Sequence, residues 1–560
     1  MMFRADSAGA TRLPAFSRRR FLAGTALSTG AFSIWTQRSK AEQIDFGAGV
    51  DFGSPATEPW VQPLAFARHG VPLAPWQALT PAVNPSAHQR YEEFAPVKFY
   101  DMEVGESLLR PHPSYAASPH TTYQRSVPGI TFMMRYGEPV LCRIRNRMPA
   151  TLQGFGHPDC ITHVHNGHHA SESDGYPMDF YSPGWFKDHH WPNIYAGGDW
   201  REAKGTLWYH DHREHYTAQN TYRGLAGFFL LFDHLDSGRE DDPNPDAFRL
   251  PSGVPDGPRT KGCYDIPLIL TDRRYDKEGR LTMDVMNMDG HLGDKLLVNG
   301  RIQPYFEVER RKYRFRLLDG GPSRFYRLEL SNGMSFHHVA NDGNMLPVPL
   351  LTDHVTLGVS ERADIVVDFS QVPAGTHELY LINRMLQQDG EKPEDDLLSV
   401  ADSCQLLKFI VRSATGVPDP SRVPSTLRPL PERSTPVVRT REIRLDRSNG
   451  MWTINGRIFD PARVDIEFQR GTAEIWRLRT SGGWAHPLHV HMEEMQVLTY
   501  NDKPVTGGPL HARKDVFSLY QGDEMEIYVR FRDWLGNYAL HCHNTVHEDH
   551  AMMARILIVP

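Results

Sequence analysis

The stretch HCHNTVHEDHAM, His541 to Met552, places four histidines, a cysteine and a methionine close to the end of a 560-residue chain. In a β-strand successive side chains face opposite sides, so His541 and His543 point one way and Cys542 the other. The same i, i+2 pairing recurs at His163 and His165, at His210 and His212, and at His489 and His491. Random placement of 28 histidines in 560 residues gives roughly one H-x-H triplet, so four is an excess that needs a chemical reason. Four such strands supply eight imidazoles. Neutral imidazole suits Cu, Zn, Fe and Ni, and eight donors are too many for one ion, so a cluster of three metals is the natural reading. Structural zinc sites take about four ligands and do not account for eight alternating imidazoles.

Cys542, on the opposite face, has its own partners: His547 a few residues on, and His486 in HPLHVH ahead of His489. Two histidines, a thiolate and a long, weak axial methionine make a blue-copper electron-transfer site, and Met552 follows in the same stretch. The cysteine between two histidines is then a link. An electron arriving on the Cys542 side passes through the peptide bonds to His541 or His543 and reaches the cluster.

The rest of the chain reads as all-β. Short runs such as PVLCRIRN, GFFLLFD, KYRFRLL, ADIVVDF, AEIWRLRT and MEIYVRF are rich in apolar and β-branched residues and are separated by turn residues. Proline-rich polar stretches at 239–260 and 413–436 read as linkers between three β-sandwich domains, spanning 42–238, 261–412 and 437–560. The first and third share the order aromatic strand, H-x-H, later histidine, apolar strand. The second has His337 and His338 adjacent instead of alternating, so it is expected to keep the fold without a metal. Because the ligands come from the first and third domains, the cluster is expected at their interface.

Net charge is −7 and nothing resembles a nucleic-acid surface. The first 41 residues carry seven Lys or Arg against one Asp. Within them SRRRFLAGTALSTGAFSIW sets Arg18 and Arg19 before a modestly apolar stretch, the pattern of a twin-arginine export signal. That pattern predicts recognition by the twin-arginine export machinery, passage of the folded protein into the periplasm or medium, and removal of residues 1–41 as a signal peptide. No stretch approaches the ~20 apolar residues of a membrane span. Cys142, Cys160, Cys263 and Cys404 are open to pairing or to burial as thiols.

These motifs resemble the multicopper oxidases, and SDGYP (173–177), WYHDH (208–212), LVNGRIQPYFEVERRKYRFRLLD (297–319) and HCHNTVHEDHAMM (541–553) are similar to spore-coat-type laccases and bilirubin oxidases. The resemblance implies three consecutive cupredoxin-like Greek-key β-sandwiches and four coppers per chain. Carried over by position, His486, Cys542, His547 and axial Met552 hold the type 1 copper, and His163 and His489 the type 2 copper. His165, His210, His212, His491, His541 and His543 hold the type 3 pair. Glu548 and Asp174 take the positions of carboxylates that feed protons to oxygen. The implied reaction couples four one-electron oxidations of phenolic, aromatic amine or bilirubin-like donors to reduction of O2 to water, in a monomer, with the donor at an exposed edge of a type 1 histidine.

One departure from the family stands out. Asn166 follows the first H-x-H where the family commonly has glycine, and His168 and His169 are extra, so the turn beside the type 2 site is expected to differ. With every coordination place filled, His168, His169, His189 and His190 are expected at the surface. A second reading, a metallo-oxidase acting on Cu(I) or Mn(II), has only the small cluster Met283, Met286 and Met288 and the acidic stretch 389–398 in its favour. A third, a copper-free scaffold of the same fold, requires gaps in the four motifs, and none is present.

Overall fold

The computed structural model describes residues 53–253, 262–413, 416 and 418–560. The expected export signal lies outside the described residues. Among the described residues the strands assemble into six sheets, stacked in pairs as three successive sandwiches. In the first, the sheet of Lys98–Leu109, Ser118–Tyr123, Val140–Asn146 and Phe186–Trp191 faces the sheet of Phe132–Arg135, Thr162–His165, Thr206–Asp211 and Ala226–Phe232. Tyr100, Val140, Phe132, Val164 and Phe229 from both sheets meet in one core. The second sandwich encloses Leu268, Phe315, Leu328 and Phe409; the third encloses Trp476, Ile527, Leu540 and Ile556. Each such aliphatic or phenylalanine side chain contributes about 1.5–3 kcal/mol on burial, which makes the sandwiches rigid frames for whatever projects from their strands.

Period-2 patterning is plain where one face meets solvent: in Ile466–Gln469 the apolar Ile466 and Phe468 are buried while Glu467 and Gln469 are exposed. The strands Thr162–His165, Thr206–Asp211 and His486–Val490 are instead buried throughout. One face of each lies on its own core and the other meets a neighbouring domain, so the histidines occupy a second, polar interior.

The first and third domains are joined by a buried charge cluster. Glu202 pairs with Arg513 at 2.7 Å, with Arg532 at 2.9 Å, and with Arg530. Burial alone would raise the Glu202 pKa, but the Arg513, Arg532 and Arg530 guanidinium groups outweigh it and hold the group down at about 2. Its folded pKa lies below the usual 4.5, so its stabilisation is fully present above pH 4.5 and is lost as pH falls toward 2. Glu202→Gln is expected to cost about 3–5 kcal/mol at pH 7, because Arg530 loses its carboxylate while Arg513 and Arg532 keep only Glu494 and Glu493. Thermal melts should show the gap from wild type narrowing between neutral pH and pH 3; a gap that stays constant would refute this account.

The stretches read as linkers are not free connectors. Phe248 and Leu250 from the first, and Leu427 from the second, are buried together with Leu235 and Val339. Arg428 pairs with Asp233 at 2.7 Å, and Arg422 donates to the Ala247 carbonyl at 2.7 Å. Averaged composition hid the sparse apolar residues that strap these segments down.

Candidate metal centre

Antiparallel pairing sets His163 opposite His210, and His489 opposite His541. The sheets of the first and third domains thereby aim eight imidazoles into one space, all of them 0–1 % exposed. Most rings are anchored through one nitrogen and offer the other, the arrangement that fixes a metal-ligand tautomer. His163 Nδ1 meets the Asp174 carbonyl; His210 Nδ1 meets the Asp211 carbonyl at 2.8 Å; His489 Nδ1 meets the Asp515 carbonyl at 3.0 Å; His491 Nδ1 meets the Asp174 carboxylate at 2.7 Å. The Nε2 atoms of His212, His491 and His541 converge to 3.2–3.3 Å of one another, a triangle suited to one ion. His165 is reversed: its Nε2 contacts Asp515 at 2.8 Å and its Nδ1 is free. Burial, followed by neighbouring imidazoles, pushes the His163, His212 and His491 pKa values well down, so these rings are neutral and ligand-ready.

On the other side of the same strand, Cys542 Sγ lies 3.5 Å from His486 Nδ1 and 3.6 Å from His547 Nδ1. Met552 is fully buried in the same core, its carbonyl accepting from the Cys542 amide at 3.1 Å. Burial pushes the Cys542 thiol up, so a bound cation must displace its proton.

The expected exposed histidine edge is absent: His486 and His547 are both 0 % exposed. Trp452 stacks on His547 with ring centroids 3.9 Å apart, and its indole N–H donates to the Met288 carbonyl at 2.7 Å. The loop carrying Met288 also places the Asp289 carbonyl 3.1 Å from His547 Nε2. The half-buried Trp484 packs edge-on to Trp452 at 5.1 Å, and Arg447 covers both indoles while pairing with Asp289 at 2.6 Å. A loop of the second domain thus closes the third domain's cysteine site, which local strand alternation does not encode.

Both expected carboxylates are at the cluster. Glu548 lies 3.2 Å from His212 Nδ1 and 3.0 Å from His541 Nδ1. Asp174 is fully buried against His491, and burial pushes its pKa well above the ordinary range. A third carboxylate escaped sequence reasoning. Asp515 touches His165 and His489 and is clamped by Arg362 of the second domain at 2.9 and 2.5 Å. Burial works to raise the Asp515 pKa, and Arg362 overcomes it, holding the group well below the usual range. No spacing in the sequence points to Asp515 or Arg362; only packing unites them with the histidines.

Asn166 sits in the turn that follows the first H-x-H. It adopts φ +64°, the left-handed region that asparagine tolerates better than most residues. Its side chain donates to Glu494 and accepts from the buried Lys204 Nζ at 2.9 Å. The expectation of surface positions for His168, His169, His189 and His190 is wrong: they are 8 %, 3 %, 0 % and 3 % exposed. His168 pairs with Asp533 at 2.8 Å, His189 meets the Ser173 carbonyl at 3.1 Å, and His190 meets the Phe94 carbonyl at 2.8 Å. Of these, His189 and His190 support the Asp174 segment, the His190 amide also donating to Ser173 Oγ at 2.9 Å. Cys142, Cys160 and Cys404 stand outside any disulfide among the described residues.

The donor chemistry fits copper. Buried His163 Nε2, His210 Nε2, His489 Nε2 and both His543 nitrogens have no protein partner, a cost that a bound metal removes. Imidazoles with one buried thiolate are the set copper favours. An eight-histidine interior joined through one cysteine to a second donor set defines a redox metalloenzyme built on β-sandwiches. Two multicopper oxidase models match residues 110–235 and 433–560. A bilirubin oxidase of Albifimbria verrucaria is 32 % identical over 468 residues, 81 % of this chain and 76 % of that protein. A laccase of Bacillus subtilis is 28 % identical, covering 81 % and 93 %. The McoA multicopper oxidase of Aquifex aeolicus (2F4 variant) shares the fold at a TM-score of 0.72, with 24 % identity over 89 % of this chain and all of that one. The chain belongs to the multicopper oxidase family and is an oxidoreductase that uses oxygen, with three cupredoxin-like domains.

Proposed function

We propose that the protein holds four coppers and couples four one-electron oxidations of phenolic, aromatic amine or bilirubin-like donors to the four-electron reduction of O2 to water. His486, Cys542, His547 and Met552 hold the type 1 copper; His163 and His489 the type 2 copper; His165, His210, His212, His491, His541 and His543 the type 3 pair. When bound, copper supplies a one-electron acceptor at the cysteine and an oxygen-reducing centre among the eight histidines. The observation that carries this reading is one strand, Gly536–Cys542, which continues to His543 and serves both donor sets from opposite faces. The covalent path from Cys542 to its two neighbours joins the sets without any moving part. Glu548 and Asp174 hold the cluster imidazoles and store protons that oxygen reduction consumes. Electrons enter across the Trp452 and Trp484 shell, since the imidazoles themselves are covered. The donor class is supported by the printed names of the bilirubin oxidase and laccase relatives. The twin-arginine pattern at Arg18 and Arg19 supports export in the folded state to the periplasm or beyond.

A copper assay and visible spectrum of the copper-loaded protein test this, with oxygen uptake measured separately on a phenol and on Cu(I). Four coppers per chain and an intense blue band that a phenol bleaches anaerobically are expected. A colourless protein with little copper would remove the ligand assignment, and uptake with Cu(I) alone would remove the donor class.

A further inference from the structure

Away from the histidines, at the seam between the first and second domains, lies a cavity of about 200 Å³ whose charged lining is wholly basic. Arg110, Arg223, Arg273 and Arg301 line it together with His120 and Tyr275, and no Asp or Glu does. Only Arg223 has a counter-ion among the described residues, Glu106 at 2.7 Å. Arg273 is the telling residue. It is 5 % exposed, and its guanidinium lies over the Tyr222 ring at 4.4 Å. Among the described residues its one hydrogen bond runs from Nη1 to the Asp272 carbonyl at 3.1 Å. Arg301 donates to the Arg110 carbonyl at 2.8 Å and to Gln62 Oε1 at 3.5 Å, and finds no carboxylate either. Two further buried polar atoms at the wall, Arg223 Nε and Tyr275 Oη, have no partner. An unpaired guanidinium taken out of water is costly unless an anion accompanies it.

We propose that this cavity is a binding site for a small free oxyanion of the phosphate class, held by the guanidinium groups of Arg273 and Arg301 with the Tyr275 hydroxyl as a further donor. Planar guanidinium forks match a tetrahedral oxyanion's paired oxygens, which makes arginine the residue suited to this task. The positive field is already felt inside the cavity: burial first, then Arg273 and Arg223, hold the His120 pKa down at about 4 against the opposing pull of the Ser118 carbonyl. Because elements of two domains form the walls, the bound anion bridges the seam and stabilises the folded chain by mass action.

The test is calorimetric titration of the copper-loaded enzyme with inorganic phosphate at constant ionic strength set by sodium chloride, with thermal melts alongside. One saturable site per chain and a rising melting temperature are expected. Arg273→Gln and Arg301→Gln should each weaken binding at least about tenfold, with oxygen uptake unchanged. Arg301 is half-buried, so Arg301→Gln carries the test if the Arg273 variant does not fold. Absence of a saturable site, or wild-type affinity in Arg301→Gln, would overturn the proposal. Phenyl phosphate binding more tightly than phosphate would overturn the assignment to a free small anion.

Discussion

Cys542→Ser is expected to abolish the blue band and to lower oxygen uptake by at least about a thousandfold, while three coppers per chain remain. The argument is topological. Cys542 Sγ, on the outer face of its strand, lies within reach of both His486 and His547, at 3.5 and 3.6 Å. Its backbone is the covalent neighbour of His541 and His543. Serine keeps the volume and the strand pairing with Leu488, so the eight-histidine side is undisturbed. What disappears is the soft thiolate, and with it the electron entry that the proposed assignment gives to this side. Copper analysis, the spectrum and oxygen uptake separate the outcomes. Loss of all four coppers would mean that the cysteine side holds the cluster together; retained uptake would mean that electrons bypass it.

Glu548→Gln is the second large effect. The carboxylate sits 3.2 and 3.0 Å from Nδ1 of His212 and His541, whose Nε2 atoms lie 3.2 Å apart. It therefore lies against two imidazoles of one converging set and is placed to hand on protons. Glutamine preserves size and loses both the charge and the proton. Turnover is expected to fall about a hundredfold, the range of a general acid–base contribution, while anaerobic bleaching of the blue band by a phenol keeps its wild-type rate. Equal slowing of both steps would defeat the proton role. Loss of copper in the variant would assign Glu548 to holding the imidazoles.

Much of the site was legible because strand alternation is local. Four H-x-H triplets and one cysteine between histidines carry their geometry within three residues, whatever fold surrounds them. Asp515 was not legible, since 350 positions separate it from His165, and Arg362 comes from a domain with no expected part in the site. Nor was the depth of His168, His169, His189 and His190. Histidine is compatible with either environment, and for His168, His189 and His190 the partners Asp533, Ser173 and Phe94 make burial tolerable.

The sequence by itself determined the sandwich class, the two donor sets and their division between opposite faces of one strand, because a period of two is a property of the backbone. Tertiary structure alone decided what covers each face: the Trp452 and Asp289 shell over His547, the Asp515–Arg362 clamp behind His165, and the basic cavity at Arg273. Burial depends on which distant segments pack against a strand's second face, and neither residue type nor spacing along the chain specifies that.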